Sequence, residues 1–401
     1  MSGPRVAIVS DLREERWHSM DLVSELLVAG LEMSEQWDSP VEPVHLCPPM
    51  ARRLTRLPIV GRARLLDTTD RVINRYWDYP RWLHRRAGEF ALFHIVDHSY
   101  AHLASGLPSG RSIVSCHDVD AFEAVVSGAR QRSPVSQAMG RRLLDGLRAA
   151  ARVVCGTEAT RHAVVGHGLV PAARVSVVPY ALHAAYSPAP DDAADHRAAA
   201  LCAGAVDGAP DLLHVGSTIP RKRIDLLLEV FAEVRRRFAG ARLLRVGGPL
   251  SSSQLAHAAR LGVADAVVTL PFLDRRVLAS VYRRAALVLQ PSEREGFGLP
   301  VAEALACGTP VVSSDIPALR EAGGLGAIYC RVGDLDAWTA AVGTLLRERQ
   351  DGGDDWVTRR NRALAHGRRF SLAAHALGMT NVYRDVLPDT FDWPLARVGA
   401  R

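Results

Sequence analysis

A chain of 401 residues is too long for one ordinary hydrophobic core and comfortable for two domains of roughly 150–200 residues. Its 48% hydrophobic and 23% charged residues exclude wholesale disorder, and no apolar run approaches the roughly 20 residues that a spanning helix needs. A formal charge of +6 suits phosphates or an anionic membrane surface; it is too small and dispersed for a nucleic-acid partner, and no zinc-finger or RNA-binding motif accompanies it. The six cysteines, Cys47, Cys116, Cys155, Cys202, Cys307 and Cys330, form no CxxC pair, so reduced thiols are expected instead of a disulfide framework or a zinc site.

The opening run from Arg5 to Ser10 reads as a buried parallel strand and not as a signal peptide, because charges follow at once at Asp11 and Arg13. A cytoplasmic protein is expected. Leu22, Leu26, Leu27 and Leu31 recur at helical spacing between Met20 and Met33. Short strands follow at Phe93 to Val96, Ser112 to Ser115, Arg152 to Cys155 and Val175 to Val178, with helices at Gln137 to Ala151 and Thr157 to Gly166. Residues 187–210 turn rich in Ala, Asp, Pro and Gly, and 191–210 reads as an interdomain linker. A second series begins at Leu212 to Val215 and alternates strands with helices through Ala241 to Val246, Ala266 to Thr269, Leu287 to Gln290 and Val311 to Ser313. Helices at Leu335 to Arg349, at Asp354 to Arg369 and after Leu372 close the chain. Such alternation predicts an α/β protein with two doubly wound, Rossmann-like domains, 1–190 and 211–370, and a final helix in 371–401 that packs back on the first. Ligands of such sheets bind beyond the carboxyl ends of the strands.

The sharpest motif runs from Pro291 to Ala304 (PSEREGFGLPVAEA), between a strand and a helix. Gly296 and Gly298 leave the backbone open to a ligand, and amides near a helix N-terminus favour anions. Glu295 in the loop and Glu303 about one turn into the helix are placed to accept hydrogen bonds from two parts of one elongated polyol. On position alone, helix electrostatics and surface charge stay open as alternatives for the two glutamates. The whole string, EGFGLPVAEALACGTPVVSS, resembles the signature of glycosyltransferase family 4, whose members have the GT-B fold, two domains facing each other across a cleft. The resemblance implies that Glu295 contacts the transferred sugar, that Glu303 holds the ribose hydroxyls, and that backbone from Gly296 through Phe297 and Gly298 to Leu299 lies against sugar and diphosphate. It covers about 211–335 and, more weakly, the N-terminal half.

A second motif, His214 to Arg223 (HVGSTIPRKR), joins a strand to a helix. Two cations at the mouth of a helix suit a diphosphate, lysine as a mobile point charge and arginine as a fork. Of 49 basic residues all but Lys222 are arginine. Lys222 falls on the family's lysine, six residues after Gly216. Ser217 stands where the family has arginine and Arg223 where it has glycine, so Arg221 is expected to supply the missing charge. After Ala266 to Thr269, the turn with Phe272 and Leu273 is where the resemblance places the nucleobase; a hydrophobic staple before the next helix is an equal reading for Phe272.

In the N-terminal half, His117 follows a strand, and the resemblance places it near the donor sugar. Asp118 and Asp120 spell DxD, which binds metal in a different glycosyltransferase fold. Here no metal and no other cofactor is expected, because Lys222, Arg221 and helix N-termini would stabilise the leaving diphosphate. Arg13 and Trp17 in the first loop, with His98, Tyr100 and Asp118, are candidates for the acceptor side or simply polar loop. Residues 50–90 mix Arg52, Arg53, Arg56, Arg62, Arg64, Arg71, Arg75, Arg81, Arg85 and Arg86 with Trp77 and Trp82. They read either as a solvated face over a core stripe or as a peripheral contact with the inner face of a membrane.

With these features, the resemblance implies a retaining, metal-independent hexosyltransferase. It would use a nucleoside diphosphate sugar as co-substrate and a sugar, lipid-linked or small-molecule acceptor. An epimerase or pseudo-glycosyltransferase of the same fold, and a non-catalytic nucleotide-sugar-binding protein, are the alternatives. Donor base, sugar, acceptor and oligomeric state are not legible.

Overall fold

The computed structural model describes residues 3–15, 17–33, 41–55, 63–122 and 134–387. Two units share the chain. One comprises Met1–Ala181 with Leu372–Arg401, and the other is continuous, Leu182–Ser371.

In the first unit, six strands form a wholly parallel sheet: β1 (Arg5–Val9), β2 (Glu42–Leu46), β3 (Leu92–Ile95), β4 (Ser112–Cys116), β5 (Arg152–Cys155) and β6 (Val175–Val177), in the order β2-β1-β3-β4-β5-β6. Alternate residues serve opposite faces, as a pleated strand requires. Ala7, Val9, Phe93 and Ile95 enter one core with Tyr79, Tyr100 and Leu147. Val6, Ile8 and Leu92 enter the other with Leu27 and Leu31 of the helix His18–Glu32 and with Met379 and Tyr383 of the helix Leu372–Val386. That last helix also reaches the sheet through a hydrogen bond between His94 Nδ1 and the Tyr383 hydroxyl at 2.8 Å.

The second unit repeats the plan with β7 (Asp211–Val215), β8 (Arg242–Val246), β9 (Val267–Thr269), β10 (Leu287–Gln290), β11 (Val311–Ser314) and β12 (Ala327–Cys330). All pairings are parallel, in the order β12-β11-β10-β7-β8-β9. Strand order reverses between β7 and β10, and the crevice beyond the carboxyl ends of two such strands is where doubly wound sheets bind ligands. The helices Ile224–Arg237 and Leu299–Ala306 follow these two strands.

Three features differ from the sequence reading. The segment 191–210, expected as a linker, contains the helix Asp192–Leu201, which belongs to the second unit. Asp191 caps it by accepting from the Ala194 amide at 3.2 Å, and Ala194 and Ala198 are its buried face. Alanine lacks the bulk that makes periodicity visible yet has the highest helix propensity. Strands β2 and β12 also escaped notice. Both are edge strands, half-buried, and Pro43 in β2 is tolerated there because an edge needs fewer donors. Finally, the basic segment folds into the helix Ala63–Ile73, a π-turn Asn74–Asp78 and the helix Tyr79–His84. Arg56 and Arg62, and the side chain of Arg64, lie outside the described residues. Among those described, Arg53 chelates Asp78 at 2.6 and 3.0 Å, and Arg81 lies over the ring of the exposed Trp77. Among the described residues no helix is long and apolar enough to cross a membrane.

Candidate active site

At the switch point of the second sheet, two loops meet over one carboxylate. Glu295, in the loop after β10, accepts from Lys222 Nζ at 2.5 Å and from Arg221 Nη1 at 2.9 Å, both from the turn after β7. Gln290 Nε2 and Ser292 Oγ add hydrogen bonds at 2.9 and 2.7 Å. Backbone ties fix the loops to each other: the Glu293 amide donates to the Arg221 carbonyl at 2.8 Å, and Arg221 Nη1 donates to the Arg294 carbonyl at 2.9 Å. Burial opposes charge on Glu295, but Lys222 and then Arg221 outweigh it and hold the carboxyl below its ordinary range. Two cations sharing one anion leave this corner net positive, as an anionic ligand requires.

The surrounding backbone explains the local sequence. Gly298 caps the helix Leu299–Ala306 with φ of +101°, and a Cβ there would stand 2.5 Å from Leu319 Cδ2. Gly247, after β8, has φ of +124°, and its Cβ would meet the Gly216 carbonyl oxygen at 2.3 Å, so only glycine lets the two loops touch. Arg223 is the one non-glycine with positive φ among the described residues, at +49°. The left-handed turn is kept without the glycine, and Arg223 anchors itself on Asp225 at 2.8 Å.

Glu303 sits one turn into the helix and is buried. Burial pushes its carboxyl up to about 7, against the hydrogen bonds of Tyr282 and Tyr186 and the charge of Arg275. Tyr282 donates to Oε2 at 2.7 Å. Phe272, by contrast, is 75% exposed on its turn, so it is not a packed staple, while Leu273 beside it is half-buried. Phe297 packs edge-on against Phe370 at 5.4 Å, which leaves only its backbone for a ligand. Ser217 is exposed, and Gly216 and Leu299 are half-buried.

The first unit gathers a different set at its strand ends. His117, just past β4, is nearly buried, and both ring nitrogens are engaged: Nε2 with the Val96 carbonyl at 2.6 Å and Nδ1 with the Tyr180 hydroxyl at 2.5 Å. The carbonyl can only accept, so Nε2 carries the proton and Nδ1 accepts from Tyr180. A sugar hydroxyl would have to displace one of these partners. His98 lies between Asp97 at 3.2 Å and Asp118 at 3.5 Å. Burial works against its charge, yet the Asp118 hydrogen bond and the two carboxylates raise its pKa above the ordinary value. The same contacts hold Asp118 well below its usual range against the effect of burial. Asp11 stands beside Asp97, and burial first, then Asp97, pushes it up to about 10. Among the described residues neither Asp11 oxygen has a donor group within reach, so the retained proton is what lets it face a second carboxyl.

Arg13 is exposed and lines a cavity of about 230 Å³ with Ser10, Asp11, Asp21, Glu25 and His45. Across Leu12, a cavity of about 290 Å³ is lined by Pro48, Arg53, Trp82 and Arg85. Trp17 is 57% exposed. Tyr100 does not line the site: it is fully buried, its hydroxyl accepts the Leu12 amide at 3.2 Å, and Arg75 covers its ring. Its alternation with polar neighbours in a short 3-10 stretch concealed that it points inward. Among the described residues no group of three or more His, Cys, Asp or Glu is disposed to hold a metal ion.

Residues 209–348, which carry the Lys222–Glu295 cluster and Glu303, match the family model for glycosyl transferases group 1. This stretch is a group 1 glycosyltransferase domain. The glycosyltransferase domain and its flanks resemble the D-inositol 3-phosphate glycosyltransferase of Nocardia farcinica, 37% identical over 51% of this chain and 47% of that protein. The counterpart from Acidothermus cellulolyticus is 34% identical over 65% of this chain and 60% of its own length. The chain thus spans about half the length of the curated relatives it matches. Among solved structures, Anabaena HepE in complex with UDP-glucose superposes with a TM-score of 0.68 at 16% identity, covering 95% of this chain and 100% of that one. The sucrose-phosphate synthase of Thermosynechococcus elongatus gives 0.67 at 19% identity over 96% and 99%. The fold is accordingly GT-B, with two Rossmann-like domains.

Sequence reasoning for the glycosyltransferase domain named both glutamates, Lys222 and Arg221, and the structure brings all but Glu303 into direct contact. It overlooked Gln290, Ser292, Tyr186, Tyr282 and, in the first unit, Tyr180. Gln290 had a signal, a polar residue ending an apolar strand; the tyrosines had none, because their partners are distant in sequence.

Proposed function

We propose that this protein transfers a glycosyl unit from a nucleoside diphosphate sugar to an acceptor hydroxyl, with retention of anomeric configuration and without a metal ion. One observation carries the reading: Lys222 and Arg221 converge on Glu295 at the strand switch of a group 1 glycosyltransferase domain. In this reaction the bond from the anomeric carbon to the diphosphate breaks and a bond to the acceptor oxygen forms. The acceptor proton passes to the departing phosphate oxygen. Lys222 and Arg221 would take up the negative charge that develops on the diphosphate, a role that positioned cations perform without a metal. Glu295, freed in part from those cations as they turn to phosphate, would hold sugar hydroxyls, and Glu303 the ribose. Acceptor groups are sought at the strand ends of the first unit, around Asp97, His98 and Asp118.

HepE is described with UDP-glucose, and the curated relatives are named for D-inositol 3-phosphate. UDP-glucose and inositol phosphate therefore lead the panels of donors and acceptors. The test measures nucleoside diphosphate release from each donor, with and without chelator, in wild type and Glu295→Ala, and reads the anomer of the product by NMR. Metal-independent release that vanishes in the variant supports the proposal. An inverted product, or activity lost to chelator, removes the corresponding part of it.

A further inference from the structure

Directly beneath the Gly216 turn lies a buried cation that no carboxylate among the described residues neutralises. His214 on β7 and Arg245 on β8 are neighbours in register, and Thr269 on β9 is next in the row. His214 and Arg245 are both wholly buried. Among the described residues neither ring nitrogen of His214 meets a partner from another residue, and Nε and Nη1 of Arg245 meet none. Burial and the adjacent Arg245 and Lys222 push His214 well down, so it stays neutral and adds no second charge beside the guanidinium. No carboxylate pairs with Arg245 among the described residues. A buried charge and unmet donors are costly, and such a group persists where its remaining contact is needed.

That contact is one hydrogen bond: Nη2 donates to the Gly216 carbonyl at 2.8 Å. The Gly216 amide is itself fixed on the Val246 carbonyl at 2.8 Å. A trans peptide is planar, so its carbonyl and the following N–H point in opposite directions. Holding the Gly216 oxygen down against Arg245 therefore turns the Ser217 N–H away from the sheet, at an exposed residue five positions before Lys222. We infer that Arg245 is a positioning residue for the donor site: it orients the Ser217 amide as a hydrogen-bond donor to the diphosphate and sets an unpaired positive charge under the turn. The inference rests on the donor-binding reading above. Lys222 and Arg221 both face Glu295, whereas Arg245 commits its charge to no acid among the described residues.

The experiment compares wild type, R245M and R245K by thermal melting and by calorimetric titration with UDP, GDP, uridine and guanosine. Methionine removes the buried charge at similar length, so the ligand-free R245M protein should melt at or above the wild-type temperature. Its affinity for the bound nucleoside diphosphate should fall on the order of 10- to 100-fold, with affinity for the matching nucleoside unchanged. R245K, which keeps a cation and a donor, should recover part of the loss; it also carries the test should R245M fail to fold. Wild-type diphosphate affinity in either folded variant overturns the inference, as does an equal loss of nucleoside and diphosphate binding. A wild-type protein that binds neither UDP nor GDP overturns the donor-binding reading itself, and this inference with it.

Discussion

The two units end their sheets in opposite charge. In the second, Lys222 and Arg221 surround the lone carboxylate of Glu295. In the first, Asp97 and Asp118 surround the imidazole of His98, with Asp11 adjacent. Both clusters sit at the carboxyl ends of parallel strands in six-stranded sheets. A shared scaffold thus offers one pole suited to phosphate and another suited to hydroxyl or ammonium groups, and the loops alone decide which.

Removing the centre of the cationic pole is the most severe way to break this contrast. Glu295→Ala leaves the buried Lys222 and the half-buried Arg221 facing each other and should cost about 3 kcal/mol in stability. On the proposed mechanism, turnover per folded molecule should fall about 10²–10³-fold, as should that of Lys222→Ala, which would lose the charge offered to the leaving group. Chemical denaturation and donor-release assays read the two effects separately.

Protonation offers a subtler probe. Glu303 is raised to about 7, above its unfolded value, so its proton is retained in the folded protein well into the range where the unfolded chain has lost it. Stability contributed by the neutral form is present at low pH and declines as pH rises through the unfolded and then the folded pKa. If Glu303 holds the ribose as a carboxylate, as proposed, nucleoside diphosphate affinity should weaken up to about tenfold per unit below about pH 7. Titration calorimetry across pH should show that slope in wild type and its absence in Glu303→Gln.

His98 supplies the mirror experiment. Its folded pKa is raised, so the ion pairs stabilise fully below the unfolded histidine value and are lost as pH rises through the folded one. His98→Gln should remove about 1–2 kcal/mol at pH 5.5 and much less at pH 9, while nucleoside diphosphate affinity holds at its wild-type value. A fall in that affinity would show that the poles are not independent. The smallest effect is expected at Arg223, whose left-handed backbone favours glycine: Arg223→Gly should raise stability by about 0.5 kcal/mol, offset in part by the lost Asp225 contact.

Legibility in the sequence followed the same division. The cationic pole is assembled from two short, local motifs, and each carries its own strand, turn and helix signals, so Lys222, Glu295 and Glu303 could be named before any coordinates. At the acidic pole, the groups come from three separate strand ends, and nothing local to Asp11 announces Asp97, eighty-six residues away. Tyr100 and His98 lie two residues apart with the same flanking composition, and only tertiary packing separates the buried aromatic from the ion-paired histidine. The alanine helix at Asp192–Leu201 was obscured for the converse reason, a real element without hydrophobic contrast.

The helix Leu372–Val386 carries a consequence for biogenesis. It closes the face of the first sheet formed by Val6, Ile8 and Leu92, yet it is synthesised after the whole of the second unit. On a ribosome, the second unit can complete its core while the first still exposes that apolar face. The earliest strands of the protein are therefore among the last to be sealed, and during that interval they are the surface most in need of a chaperone.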